Sequence, residues 1–198
     1  MKSYIRGIPK KEIYNYSNLM VSNLDVFVSD GIQSKEGVIR GVPLLKLCEK
    51  KNDATAYGII SQDQSDSGDM IDIDTIGCSS IWVVNKDGNF ESGDIICSSD
   101  ITGYGSKQKN NYITNCSFAK INMKCDFSPK LVAKKVMTLS PDGTYKYDSY
   151  DELIWTDTTE LEYAYEIRYL DENGVAVSKQ EYDEIDGYIA ALVACTLF

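Results

Sequence analysis

Apolar and polar positions alternate along this chain in short runs closed by turn residues, the period-two signature of β-strands. Met70-Ile71-Asp72-Ile73-Asp74 is the clearest: Ile71 and Ile73 point to one face, Asp72 and Asp74 to the other, which predicts a half-buried strand with one wet side. Runs of the same kind lie at Asn23 to Ser29, Gly37 to Arg40, Pro43 to Cys48, Ala54 to Ile60 and Ser80 to Asn85. Tyr112 to Asp126 alternates over a longer stretch. It nominates Ile113, Phe118, Ile121 and Met123 for the core, with a bulge absorbing a slip near Ser117. Lys86-Asp87-Gly88-Asn89 predicts a tight hairpin pairing Ser80–Asn85 with Phe90–Cys97, with Gly88 at positive φ and Gly93-Asp94 as a second turn whose carboxylate caps backbone N–H groups.

The same punctuation continues beyond Phe127. Pro141-Asp142-Gly143 separates Val136–Leu139 from Thr144–Tyr147, and Asp171-Glu172-Asn173-Gly174 separates Tyr163–Leu170 from Val175–Val177, which predicts two more hairpins. Ser178 followed by Glu181 fits a capping box and predicts a helix of about two turns ending before Gly187. Tyr188 to Leu197 is apolar enough for a central or interface strand. The fold class is therefore all-β: a small barrel or sandwich of short antiparallel strands, with hairpins and one short helix near the C-terminus. Three stretches are expected: 1–30 as an N-terminal arm or peripheral strand, 31–127 as the barrel or sandwich core, and 128–198 as a C-terminal hairpin section packed on that core. No internal sequence repeat of 20–50 residues is visible, which argues against a propeller or solenoid.

Composition narrows the function. Twenty basic against thirty acidic residues leave a net charge of −10, so nucleic acid and anionic membranes are disfavoured partners. The chain has no His, which removes Ser/His/Asp and Cys/His nucleophile systems and every His-containing zinc site. Its six Cys form no C-x-x-C pair and read as free thiols of a reducing compartment, packed as small hydrophobes. Neither a signal-peptide h-region nor an apolar run of about 18 residues is found.

Acidic clusters are the densest candidate chemistry. Asp63, Asp66, Asp69, Asp72 and Asp74 offer oxygen ligands for a hard cation but lack calcium-loop spacing, and read as a solvated loop entering a strand. Asp148, Asp151, Glu152, Asp157, Glu160 and Glu162 would serve acid–base chemistry only if two carboxyls faced one cleft in different environments, and read as a solvated face. Gly103, Gly105, Asp126, Ser128-Pro129 and Lys134-Lys135 do not form a phosphate-binding motif. No cofactor, metal or catalytic residue is assigned.

One stretch is more specific. Gly77 to Gln108 runs through an aliphatic strand, the D-G-N turn at Asp87-Gly88-Asn89, Gly93-Asp94, Ile95-Ile96, Ser98-Ser99, and Gly103-Tyr104-Gly105 followed by Lys107. In this order it resembles a module at the C-terminal ends of phage tail-fibre and neck-appendage proteins and in virion proteins of large algal and giant DNA viruses. Thr102 stands where that pattern has Pro, and Ser106 where it has Met. Ala56 to Ser61 and Phe118 to Phe127 resemble flanking strands of the module, and Tyr165–Leu170, Tyr188–Ala191 and Cys195-Thr196 resemble the end of its giant-virus form. The resemblance covers about Gly37 to Phe198.

This resemblance implies a non-enzymatic structural protein of a virion, a fibre, spike or capsid accessory. It would be assembled in the reducing host cytoplasm as a homotrimer with other virion proteins as partners, and no small-molecule ligand is expected. Gly88, Gly93, Asp94, Ser98, Ser99, Gly103, Tyr104 and Lys107 are its motif positions, with structural roles. Some members resemble an intramolecular chaperone that trimerises the fibre and then cuts itself off. Their aromatic-acidic opening segment is missing here, although Ser29-Asp30 lies at roughly the right place and Ser-Asp bonds recur at Ser65-Asp66 and Ser99-Asp100. A fibre tip binding a receptor or glycan through exposed Tyr and Trp is a further alternative.

Overall fold

The computed structural model describes residues 2–6, 18–29, 32–34, 42–61 and 70–198. The run at 37–40 and the acidic loop carrying Asp63, Asp66 and Asp69 lie outside them. In chain order the strands are β1 (Lys2–Arg6), β2 (Met20–Ser29), β3 (Ile32–Ser34), β4 (Val42–Leu47), β5 (Ala56–Ile60), β6 (Met70–Asp74), β7 (Gly77–Val84), β8 (Ile95–Ser98), β9 (Gly105–Lys107), β10 (Ala119–Ile121), β11 (Leu131–Met137), β12 (Trp155–Tyr163), β13 (Ile167–Leu170), β14 (Ala176–Val177) and β15 (Tyr188–Leu197), with the helix α1 (Lys179–Tyr182) between the last two. The protein is all-β, as its alternation predicts.

Two closed rings organise these strands. In the first, β1 runs parallel to β4, while β4–β2, β2–β5, β5–β6 and β6–β1 are antiparallel; β3 hangs on β2. Val21, Leu45, Ile60 and Ile73 fill a core, with Leu47 and Tyr57 against it. In the second, β7 runs parallel to β9, while β9–β8, β8–β10, β10–β15 and β15–β7 are antiparallel. The connectivity is the same: first strand beside third in parallel, then second, fourth and fifth, closing on the first. The chain thus repeats one small barrel topology without repeating its sequence.

The second ring explains why Tyr188 to Leu197 is so apolar. β15 lies between β7 on one side and β10 and β13 on the other. Ala191, Val193, Cys195 and Leu197 face inward and are buried, whereas Ala194 on the opposite face is exposed. Gly105 is required inside: a Cβ there would lie 2.7 Å from Ile96 Cγ2 and 3.3 Å from Val83 Cγ1.

Four expectations are corrected. β7 does not form a hairpin with β8; its partners are β15, along eight register pairs, and β9. The long apolar β15 offers β7 more ladder than the four-residue β8 could. Of Tyr112 to Asp126 only Ala119–Ile121 is a strand, and Tyr112 and Ile113 are exposed at 65% and 69%, although Phe118 and Ile121 are buried. The buried Gln108 organises the preceding loop instead, its amide donating to the carbonyls of Asn110 and Tyr112 and its oxygen accepting from Ser117 at 2.6 Å. Stretch 1–30 contributes β1 and β2 to the first ring rather than a peripheral arm. Finally, 128–198 is not one section: Ser128–Glu166 is a separate compact unit, and Ile167–Phe198 belongs with the two rings.

Local punctuation does behave as expected around β13, β14 and α1. Asp171 caps the hairpin turn by accepting from the Asn173 and Val175 amides, with Gly174 at φ 82°. Ser178 and Glu181 make both halves of the capping box, but α1 is a single turn.

The unit Ser128–Glu166 is a β-ribbon. β11 pairs antiparallel with β12 from Leu131 opposite Tyr163 to Met137 opposite Trp155, with a register shift between Ala133 and Lys135. The predicted turn at Pro141-Asp142-Gly143 is present, with Gly143 at φ 84° and Leu139 bridging Tyr145 across it, whereas Val136 pairs with Thr156 instead.

Candidate functional site

The eight motif positions fall into two sets. The first locks the loop between β7 and β8. A 3₁₀ turn at Asn85–Asp87 ends at Gly88, whose N–H donates to the Asn85 carbonyl at 3.1 Å and whose φ of 93° turns the chain out of the helix. Gly93, at φ 97°, donates to the Ile121 carbonyl at 2.8 Å. Asp94 accepts from the Glu91 amide at 2.7 Å and pairs with Lys107 Nζ at 2.6 Å, and Lys107 donates on to the Asn89 carbonyl at 3.0 Å. Asp94 is thus a backbone cap held by a lysine.

The second set joins the two rings. Ser98 is fully buried; its hydroxyl donates to the Lys50 carbonyl at 2.8 Å and accepts from the Asp53 amide at 2.7 Å, while its own carbonyl takes the Asn52 amide at 3.1 Å. Gly103, at φ 80°, donates to Cys48 O at 2.7 Å and accepts from the Met20 amide at 2.8 Å. Ser99 donates its N–H to the Tyr104 carbonyl at 2.9 Å, and its hydroxyl accepts from the Ile101 amide at 3.1 Å. Tyr104 is buried with Leu19, Trp82, Val84, Ile101, Leu170 and Ala190 in a cluster that spans both rings. Asn18 adds a bridge, donating from Nδ2 to the Ser80 carbonyl at 2.7 Å and accepting from the Trp82 amide at 3.1 Å.

Charge sits around this seam. Lys51 reaches both carboxylate oxygens of Asp87 at 2.7 Å, and Lys86 pairs with Asp100 at 2.7 Å. The Lys86 ammonium holds the Asp100 carboxyl below its ordinary range. The Arg168 guanidinium lies 3.9 Å over the Trp82 ring.

None of these groups forms a nucleophile–base pair. Among the described residues, every buried side-chain N or O has a hydrogen-bond partner, and no three His, Cys, Asp or Glu side chains gather as metal ligands. At the Ser99-Asp100 bond the serine is buried and its hydroxyl is engaged with the Ile101 amide. Asp30, Ser65 and Asp66 lie outside the described residues. None of the six Cys forms a disulfide; burial pushes Cys48 and Cys195 up to about 12, which keeps both thiols neutral and inert.

Among the described acidic candidates, the carboxylates serve local structure. Asp74 accepts from the Ser79 hydroxyl at 2.8 Å. Asp148 caps a turn through the Tyr150 and Glu152 amides, and Glu160 pairs with Lys134 at 3.3 Å on the ribbon.

A different feature of the ribbon escaped the sequence reading. Leu131, Met137, Trp155, Leu161 and Tyr163 are exposed at 55%, 37%, 55%, 63% and 65%. Register and alternation place them on one face, with Lys135 and Asp157 opposite each other in its middle. The period-two series Trp155, Asp157, Thr159, Leu161, Tyr163 carries the signal. A two-stranded ribbon is marginal alone, and exposed apolar faces are a feature of interaction surfaces in general.

Compared with family models, with curated proteins and with solved structures, the chain matches none.

Proposed function

We propose that this chain is a structural virion component, a fibre, spike or capsid accessory that works by protein–protein assembly and forms a homotrimer. The observation that carries this reading is the exposed apolar face of the β11–β12 ribbon, which a binding partner would cover. Two further features support it. The motif positions that resemble those of tail-fibre and giant-virus modules act here as caps, turns and seam contacts, which suits a rigid building block. The acidic, His-free composition suits packing more than proton transfer.

Light scattering and intact-mass spectrometry on the purified full chain test the proposal together. A stable multimer whose chain mass is unchanged after prolonged incubation is expected. A monomer at micromolar concentration would remove the assembly role, and a shortened chain beginning at Asp30 would make the self-cleaving chaperone the better reading.

A further inference from the structure

The ribbon is charged asymmetrically. β11 (LVAKKVM) carries two lysines and no acid, while β12 (WTDTTELEY) carries one Asp, two Glu and no base. The whole chain has a net charge of −10 and repels its own copies, so self-association needs local complementarity to offset it. On the apolar face, Lys135 and Asp157 sit between Leu131, Leu161 and Tyr163 at one end and Met137 and Trp155 at the other. Laying β11 against β11 of another copy would oppose lysines, and β12 against β12 would oppose carboxylates; β11 against β12 opposes unlike charges and covers the apolar side chains.

We infer that the apolar face of the ribbon is where a second copy of this chain docks, with the lysine-bearing β11 of one copy against the carboxylate-bearing β12 of the next. This rests on the assembly reading above and adds the surface and the pairing rule. On the other face, Val132, Lys134, Val136, Glu160 and Glu162 mix apolar and charged groups and stay in solvent.

The test uses the full chain and four variants, each first shown by circular dichroism to keep its β signal. Leu161→Asp puts a charge on the apolar face. Lys135→Glu and Asp157→Lys each reverse the charge that one strand places on that face, and the fourth variant carries both. The expected result by light scattering is a fall to the 22.1 kDa chain mass for Leu161→Asp and for each single-strand reversal, with the parent's mass regained when both strands are reversed. Because Lys135 and Asp157 also face each other within a copy, the parent is further cross-linked with a zero-length carbodiimide as a mixture of ¹⁴N and ¹⁵N chains. Mixed-isotope peptides joining the Lys135 segment to the Asp157 segment are expected. If the parent assembles while Leu161→Asp and both single reversals keep its mass, or if no mixed-isotope link involves the ribbon, the inference falls and the assembly reading stands. A monomeric parent removes both.

Discussion

Replacing Ser98 with Ala tests the seam between the two rings. The hydroxyl donates to the Lys50 carbonyl at 2.8 Å and accepts from the Asp53 amide at 2.7 Å, and Ser98 itself is fully buried. Alanine removes both hydrogen bonds and leaves a donor and an acceptor facing a methyl group. Each net hydrogen bond is worth about 1 kcal/mol, with a further cost where a group is left dry; Asp53 and Lys50 keep some access to water, so the sum comes to about 2 kcal/mol. In a chain of this size that lowers Tm by roughly 4–8 °C. Ser99→Ala, which loses the Ile101 amide contact at 3.1 Å and a longer one to Asp100, should lower it by about half as much. Thermal unfolding followed by circular dichroism reads the shift, and hydrogen exchange at the Asn52 and Asp53 amides should speed up in Ser98→Ala. A Tm within about 1 °C of the parent, with unchanged exchange at both amides, would refute the assignment of Ser98 as a staple.

Gly88→Val should cost about 1 kcal/mol through backbone strain alone, since φ is 93° and nothing lies within 4 Å of the added Cβ; an unchanged denaturation midpoint would contradict this. Asp94→Ala should destabilise by roughly 1–2 kcal/mol and Asp94→Asn by less, because Asn keeps an acceptor for the Glu91 amide while losing the charge opposite Lys107; equal urea midpoints for the two would show that the cap contributes nothing. Burial raises Cys48 and Cys195 to about 12, so the unfolded chain ionises first: stability should be intact below about pH 9 and fall towards pH 12 by up to about 1.4 kcal/mol per pH unit per thiol, whereas a urea midpoint flat across that window would contradict the burial. Under native conditions an alkylating reagent should modify the exposed Cys78 ahead of the buried Cys48 and Cys195, and peptide mapping checks the order.

What the sequence shows and what it hides divide along physical lines. Strand existence was legible because burial on one face imposes period two, as in β15, and turns were legible because Gly, Asp and Ser have special φ or capping roles, as at Gly88, Asp171 and Ser178. Pairing was not. β7 takes β15 as its partner from about a hundred residues away and leaves β8 to β9 and β10, because ladder length and ring closure are set by the whole sheet. The repeated ring is invisible to a search for periods, since topology depends on which strands meet and not on which side chains they carry. Ile113 alternates correctly yet is exposed, because the amide of Gln108 satisfies the loop backbone at Asn110 and Tyr112 and no strand is needed there. At the candidate site, the Asp94 cap is local and was anticipated, whereas the bonds from Ser98 to Lys50 and Asp53 span 45 residues or more and were not.

A chain that acts by assembling with itself must hold a defined oligomer in solution. Sedimentation equilibrium of the full, untagged chain over a micromolar concentration series tests it most directly. A single species of three times the 22.1 kDa chain mass that persists on dilution is expected, and a molecule of 22.1 kDa at every concentration would overturn the assembly role.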